Sequence, residues 1–549
     1  MFRIRPLLIA FAVTLPGVLP ISGNDEGHDH GYVRDVSRLG KVQFSISCST
    51  ATQQEFDLDL ALFYSFWYPE SIDAFVALTK KEPTCAMAYW GEAVSRLRNP
   101  LAEPTTPADL KDGWASIQKA KSLSAPTERE RDYITAAEAF YRDPDKQDQR
   151  ARALAFEKAM ANVHQRYPKD SEAGVLYALA LNMTAKPNDK TYANQLKAAK
   201  ILETIFAEQP NHPGVAHLLI HSYDYPDIAD RGLAAARKYA AIAPAAPHAL
   251  HMPAHIFTRL GYWQDSIQTN RKSAAVANKE IAETHPGAVA AQALHAYDYM
   301  VYAYMQGAQD AAAKRVMDEI NAAQKVDIVR LAAPFAFSAI PARYAIERER
   351  WDEAAALSLH PADFSWKAFP QAEAIIFFAR GLGAARKADV PAARSAIERL
   401  SSLRHELAEK KQNYWVEQTD IQIRIVSAWT ALADGNKDQA LVLMRSAADS
   451  EDATEKHIVT PGSFAPAREL LGEMLLAFGR PELALKEFEA SQKRDPNRFK
   501  GLYGAAKASE LSGNLAKARS YYERLVSVCE QADSERPQLT EAKAFLSKN

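Results

Sequence analysis

A chain of 549 residues is too long for one compact core and requires either several domains or an array of repeats. Its 66 Lys and Arg against 68 Asp and Glu leave a formal net charge of −2, so a cation-rich, nucleic-acid-coating surface is excluded and no nucleic-acid partner is expected. Abundant Ala, few β-branched residues and only 22 Gly predict an almost wholly helical protein.

The first residues, MFRIRPLLIAFAVTLPGVLPISG, set Arg3 and Arg5 ahead of a short apolar run interrupted by Pro6, Pro16 and Pro20. This is the pattern of a cleaved export signal over residues 1–22, too short and too broken for an anchor. The expected location is exported, periplasmic or secreted, with no membrane span after signal removal. Residues 23–40 are polar, and a flexible segment carrying His28 and His30 is expected there. In an exported chain Cys48 and Cys85 could pair across one helical hairpin or remain two buried thiols; Cys529 is left unpaired.

Residues 41–95 read as two amphipathic helices meeting at Tyr68-Pro69, the second ended by Pro83. The aromatic group Phe63, Tyr64, Phe66, Trp67 and Tyr68 between them is read as core packing, with a binding cage as the alternative. Further on, Thr127 and Glu130 form a capping box, and breaks fall at Asp143-Pro144 and Lys186-Pro187-Asn188-Asp189.

The stretch Pro210 to Gly261 holds six of the fourteen histidines. Four form two His-x-x-x-His pairs, His217 with His221 and His251 with His255, and each member of the first pair precedes its counterpart by 34 residues, as Pro210 precedes Pro244. Thirty-four residues is the period of the tetratricopeptide repeat, a helix–turn–helix unit that stacks into a superhelix. The same interval returns near the C-terminus, where Gly472, Ala484 and Phe488 are followed by Ala506, Ala518 and Tyr522. Small residues there let helices approach and the aromatic fills the gap. The expected fold is all-α, a right-handed solenoid of tetratricopeptide-like helical hairpins. It divides into an N-terminal part over 41–325 with a His-rich groove and a C-terminal part over 326–549.

Several phrases, among them SFWYPES, CAMAYWGEA, HPGVAHLLIHSYDYPDIA, HALHMPAHIFTRLGYWQDSI and HIVTPGSFAPARELLGEML, resemble a family of exported bacterial tetratricopeptide-repeat proteins with no assigned activity. The resemblance covers nearly the whole mature chain and implies a fold without a reaction. The family pattern implies a His where this chain has Tyr64.

In repeats of this kind the first helix of each pair lines the concave groove. His217 and His251 then fall at position 5 of that helix, His221 and His255 at position 9 and His248 at position 2, all facing the groove. Each pair lies one helical turn apart and points one way, so the two pairs are expected to converge on one transition-metal ion. Four imidazoles without thiolate suit Zn, Cu or Fe. Accessory candidates are His248, His295, Asp224, Asp298, His457 and Glu469, with Asp224, Tyr223 or Asp298 as proton-transfer groups. His212 and His285, each before Pro-Gly, are read as helix caps, and Arg468 with Glu469 as an ion pair. Pro253 is expected to kink the helix between the second pair. No nucleophile elbow, phosphate loop, dinucleotide fingerprint or His-Glu-x-x-His is present, so no reaction is written in the chain. The alternative function is a scaffold holding a peptide or protein in the groove.

Overall fold

The computed structural model describes residues 38–143, 146–323 and 325–548. The expected export signal, His28 and His30 lie outside them. The described residues belong to a compact unit spanning Asp35–Asn549, in which helices pack chiefly on their neighbours in sequence, as in a solenoid of helical hairpins. The end of the expected flexible segment is instead held in place. Leu39 is buried, the Arg38 carbonyl accepts from the Ala245 amide, and Lys41 donates to Asn211.

Local signals account for many helix ends. Helix Glu128–Tyr141 starts on the reciprocal capping box of Thr127 and Glu130. Helix Pro213–Tyr223 starts on Pro213 behind His212, whose imidazole accepts from the Val215 amide. His285 does no such work. After Gly287, at φ 79°, the chain enters the strand Ala288–Val289, which pairs in parallel with Lys325–Val326. The division expected at 325/326 therefore falls inside a strand whose partner comes from the other side of it.

The C-terminal repeats pack for the steric reason their spacing implies. Phe488 is buried between Gly472 and Gly504, where a Cβ would stand 2.7 and 2.2 Å from the ring. Only glycine admits the ring at both places. Among the described residues no helix is long and apolar enough to cross a membrane.

Two contacts made outside the hairpin stack position the site. Helix Thr50–Tyr64 packs against helix Pro213–Tyr223, with the Tyr64 ring so close to Gly214 that a Cβ there would meet it at 2.5 Å. The segment 454–466, between helices Lys437–Ala453 and Ala467–Ala477, reaches back to the His-rich repeats. Arg343 holds it through Thr460, Gly462 and Ser463.

Cys48 and Cys85 are joined, closing a loop of 37 residues across the first hairpins. In the chain-entropy model a loop of this size stabilises by about 4 kcal/mol. Replacing both cysteines with alanine is expected to lower the unfolding free energy by about that much, measured by denaturant titration of oxidised parent and variant.

Candidate metal centre

Three helical segments bring six histidines together. Helix Pro213–Tyr223 is buried on every side and presents His217 and His221 one turn apart. The next repeat is broken at Pro253 into helices Pro247–His251 and Pro253–Arg259. Met252 between them keeps right-handed helical angles (φ −52°, ψ −36°), so His251 and His255 still point the same way. Helix Ala291–Gln306 adds His295.

The two sequence pairs do not share one centre. His217 and His221 gather His248, and His251 and His255 gather His295, so two groups of three form, each with ligand atoms within 4.8 Å of one another. The cause is the lie of the broken helix. Its first turn carries His248 toward helix Pro213–Tyr223, while its later turns face helix Ala291–Gln306. His217 Nε2 stands 3.1 Å from His221 Nε2 and from His248 Nε2, and His251 Nε2 stands 3.1 Å from His255 Nε2. Two imidazole nitrogens on one ion at ~2.0–2.1 Å and a near-tetrahedral angle would be about 3.3 Å apart. These three pairs have the spacing of two ligands on one ion, and the remaining ligand atoms of each triad lie within 4.8 Å.

Hydrogen bonds fix which nitrogen carries the proton. His217 Nδ1 lies 2.7 Å from the Tyr64 carbonyl, which can only accept, so Nδ1 donates and Nε2 keeps its lone pair. His255 Nδ1 donates to Asp224 Oδ2 at 2.8 Å. His251 Nδ1 donates to Asn270 Oδ1 at 2.6 Å; the Asn270 amide is oriented by its own Nδ2 donating to the Ser266 carbonyl. In the second triad, two bare lone pairs therefore face each other at 3.1 Å. A proton cannot readily relieve them, because burial lowers both imidazoles below their ordinary value. Burial likewise pushes His217 and His295 down to about 3, and holds His221 and His248 well below their ordinary value.

Around these rings lies a shell of which the sequence singles out Asp224 and, within an aromatic group, Phe66. Asp224 Oδ2 accepts from Lys456 Nζ at 2.8 Å as well as from His255, and Oδ1 accepts from Arg259 Nε at 2.9 Å. Despite burial, the two cations hold its carboxyl well below the carboxylate range. Tyr299 packs on His251, His255 and His295, and its hydroxyl lies 3.1 Å from the carbonyls of Ile458 and Thr460. Phe66, at φ 54°, sets its ring 4.1 Å from that of His217 and stacks on His248 at 5.4 Å. The aromatic run is core except at this residue, which caps the first triad, and at Tyr68, which lines the cavity beside it. Tyr64 serves through its carbonyl, while its hydroxyl donates to Glu172.

Four other candidates are displaced from the site by partners of their own. Asp298 accepts from Arg343 Nε at 2.8 Å. Glu469 is taken by Arg498, not by Arg468, which pairs with Asp449, Asp452 and Glu487. His457 uses both nitrogens, donating to the Ala102 carbonyl and accepting from the Val459 amide. The Tyr223 hydroxyl donates to Glu203. The segment carrying His457 does meet the cluster, through Lys456 and the backbone of 458–460.

Five of the six imidazoles, all but His217, line a cavity of about 210 Å³. Its remaining wall is largely apolar, with Phe66, Tyr68, Ile328, Leu331, Ile458 and Val459, and Arg98, Glu103 and Arg330 stand toward its polar side.

No family model matches the chain, and no curated protein matches it in sequence. Solved structures similar to it include the human IFIT1 dimer with m7Gppp-AAAA, at 11% identity and a TM-score of 0.34 over 81% of this chain and 90% of that one. Cut9 in the Cut9–Hcn1 hetero-tetramer is similar at 10% identity and a TM-score of 0.29, over 91% and 96%. Likenesses this distant say nothing of what the chain binds.

Two outcomes are expected of the shell. A histidine whose folded pKa lies below its unfolded value near 6.5 leaves the unfolded chain holding more protons, so stability falls as pH drops from ~6.5 toward the folded value, by about 1.4 kcal/mol per pH unit for each such group. Metal-free protein should thus lose stability steeply from pH 6.5 down toward 3, with His217 and His295 contributing throughout that window, as measured by urea titration at several pH values. Asp224→Asn leaves Lys456 and Arg259 buried beside a neutral group. It should cost about 3–5 kcal/mol of stability, read by urea titration of parent and variant.

Proposed function

We propose that this chain is an exported helical-repeat protein whose two histidine triads bind a pair of transition-metal ions, and that it is a metal-dependent enzyme acting on a small molecule in the adjoining cavity. The observation that carries the reading is the pair of opposed lone pairs on His251 and His255. Neutral acceptors 3.1 Å apart in a buried site repel each other, and a cation between them turns that repulsion into two bonds. The outer N–H of each ring is already held by Asn270 or Asp224, in the manner of metal ligands oriented from behind. In the first triad the Tyr64 carbonyl stands behind His217 in the same way.

The cavity supports catalysis over storage, because it leads a small molecule onto the exposed edges of the imidazoles. A peptide scaffold fits less well. The groove-side helix Pro213–Tyr223 is buried on all faces, and the segment 454–466 covers the inner face where a peptide would lie. The Cys48–Cys85 bridge supports export, since such bridges persist in oxidising compartments.

The test is elemental analysis of untagged protein purified without chelator. Two metal ions per chain are expected, falling to about one in His251→Ala/His255→Ala and to about one in His217→Ala/His221→Ala, with helical circular dichroism unchanged. A parent that takes up none of zinc, copper or iron, natively or on reconstitution, would overturn the reading.

A further inference from the structure

We propose that the pair of triads is a two-copper centre that reduces dioxygen, and that the cavity above it admits a single-ring ortho-diphenol, which is oxidised to an ortho-quinone. The proposal rests on the reading of the triads as metal sites and adds to it the metal, the oxidant and the substrate class.

Charge selects the metal. The ligand set is six neutral imidazoles with no carboxylate among them. Asp224, which is hydrogen-bonded to His255, and Glu455, which shares Arg259 with it, are outnumbered by Arg259, Lys456 and Lys190, and on the cavity wall Glu103 and Asp327 are matched by Arg98 and Arg330. Two divalent ions would place four positive charges in a buried site that supplies no compensation, and the cost of burying charge rises steeply with its size. Two cuprous ions place only two. Copper also stands at the top of the divalent affinity order for nitrogen ligands, so the same site holds it in the oxidised state.

Geometry selects the oxidant. The triads abut: the His221 and His255 rings lie 5.9 Å apart and the His248 and His251 rings 6.0 Å apart. Two ions held so close can deliver two electrons together to one small molecule, which matches dioxygen. A reduced copper pair is the form that the uncompensated site favours, and reaction with dioxygen brings in the negative charge it lacks.

The cavity selects the substrate. At about 210 Å³ it is smaller than the ~300–1,000 Å³ of pockets for drug-sized ligands, which limits the guest to about one ring. Phe66, Ile328, Leu331, Ile458 and Val459 form an apolar slot for that ring, and His248 and His295, the most accessible member of each triad, stand at its floor. Two adjacent ions call for two adjacent oxygen donors, which vicinal hydroxyls provide. The reaction balances as two diphenols and one dioxygen giving two ortho-quinones and two waters. Each diphenol loses two electrons and two protons as its O–H bonds break; the O–O bond breaks, and the four protons leave on its two oxygens.

The full mature chain, freed of metal, would be loaded with copper(I) under argon and then exposed to air. Two coppers per chain are expected, silent in electron paramagnetic resonance because the oxidised pair is magnetically coupled. The loaded protein should oxidise 4-methylcatechol with two molecules consumed per dioxygen, and His251→Ala/His255→Ala should abolish this. Ala332→Phe, which fills the cavity wall away from the imidazoles, should raise KM at least tenfold with two coppers retained.

Failures separate cleanly. Preference for zinc or iron over copper, a single copper, or two independent copper spins would overturn the copper pair while leaving the metal reading intact. A coupled copper pair that forms no quinone, or an Ala332→Phe variant with unchanged KM, would overturn the substrate assignment. Failure to bind any metal would remove the metal reading itself.

Discussion

The structure depends on holding neutral imidazoles lone pair to lone pair. At 3.1 Å, with Nδ1 of each ring committed to an outer acceptor, the Nε2 atoms of His251 and His255 have no proton to share. Left free, the rings would rotate away or take up a proton. Burial prevents the second, because charging an imidazole there costs desolvation that Asp224 and Asn270 only partly offset. The outer hydrogen bonds prevent the first. Asn270 is itself oriented by Ser266, and Asp224 by Arg259 and Lys456, so each ring is restrained by a partner that is restrained in turn.

A solenoid is suited to this because repetition places equivalent residues on neighbouring helices at a fixed separation. Repetition alone would give an open groove. Closure comes from departures from the repeat: helix Thr50–Tyr64 brings the Tyr64 carbonyl to His217, and segment 454–466 brings Lys456 to Asp224 and two carbonyls to Tyr299. Arg343 and Arg498, both fully buried, anchor the closing parts. Arg343 joins the segment to Asp298, and Arg498 joins Glu347, Glu469 and Tyr302 across three helices. Removing one partner of such a pair would leave a buried charge unmatched, so these ions fix the arrangement more than they stabilise it.

What the sequence made legible is the part governed by local or periodic rules. The 34-residue interval located both histidine pairs, the capping box of Thr127 and Glu130 set a helix start, and the spacing of Gly472 and Phe488 gave the packing of the last repeats. The division into triads was not legible, because it depends on which neighbour the first turn before Pro253 leans toward. His295 carried a weak signal, out of register with the repeat, yet it completes the second triad. Asn270, Tyr299 and Lys456 carried none, since each meets the site through tertiary folding, and Phe66 stood only within an aromatic run read as core with a binding cage as the alternative. Asp298 and Glu469 have the residue type of site carboxylates, but partners 45 and 29 residues away take them first.

The two triads are built alike and backed differently, and on the metal reading that difference makes the two ions unequal. His255 donates to a carboxylate, which raises the donor strength of its inner nitrogen, whereas His217 donates to a peptide carbonyl, a weaker acceptor. Phe66 adds to the asymmetry. It holds a left-handed backbone angle uncommon for a bulky residue, and its ring covers the first triad alone. The second triad is packed instead by Tyr299, whose hydroxyl is tied to the closing segment. An ion in the second triad is thus bound by the more basic set and coupled to closure of the fold, while one in the first is screened by an apolar ring. Tight binding therefore belongs to the second triad, whose three rings all line the cavity, while His217 of the first stands off it behind Phe66.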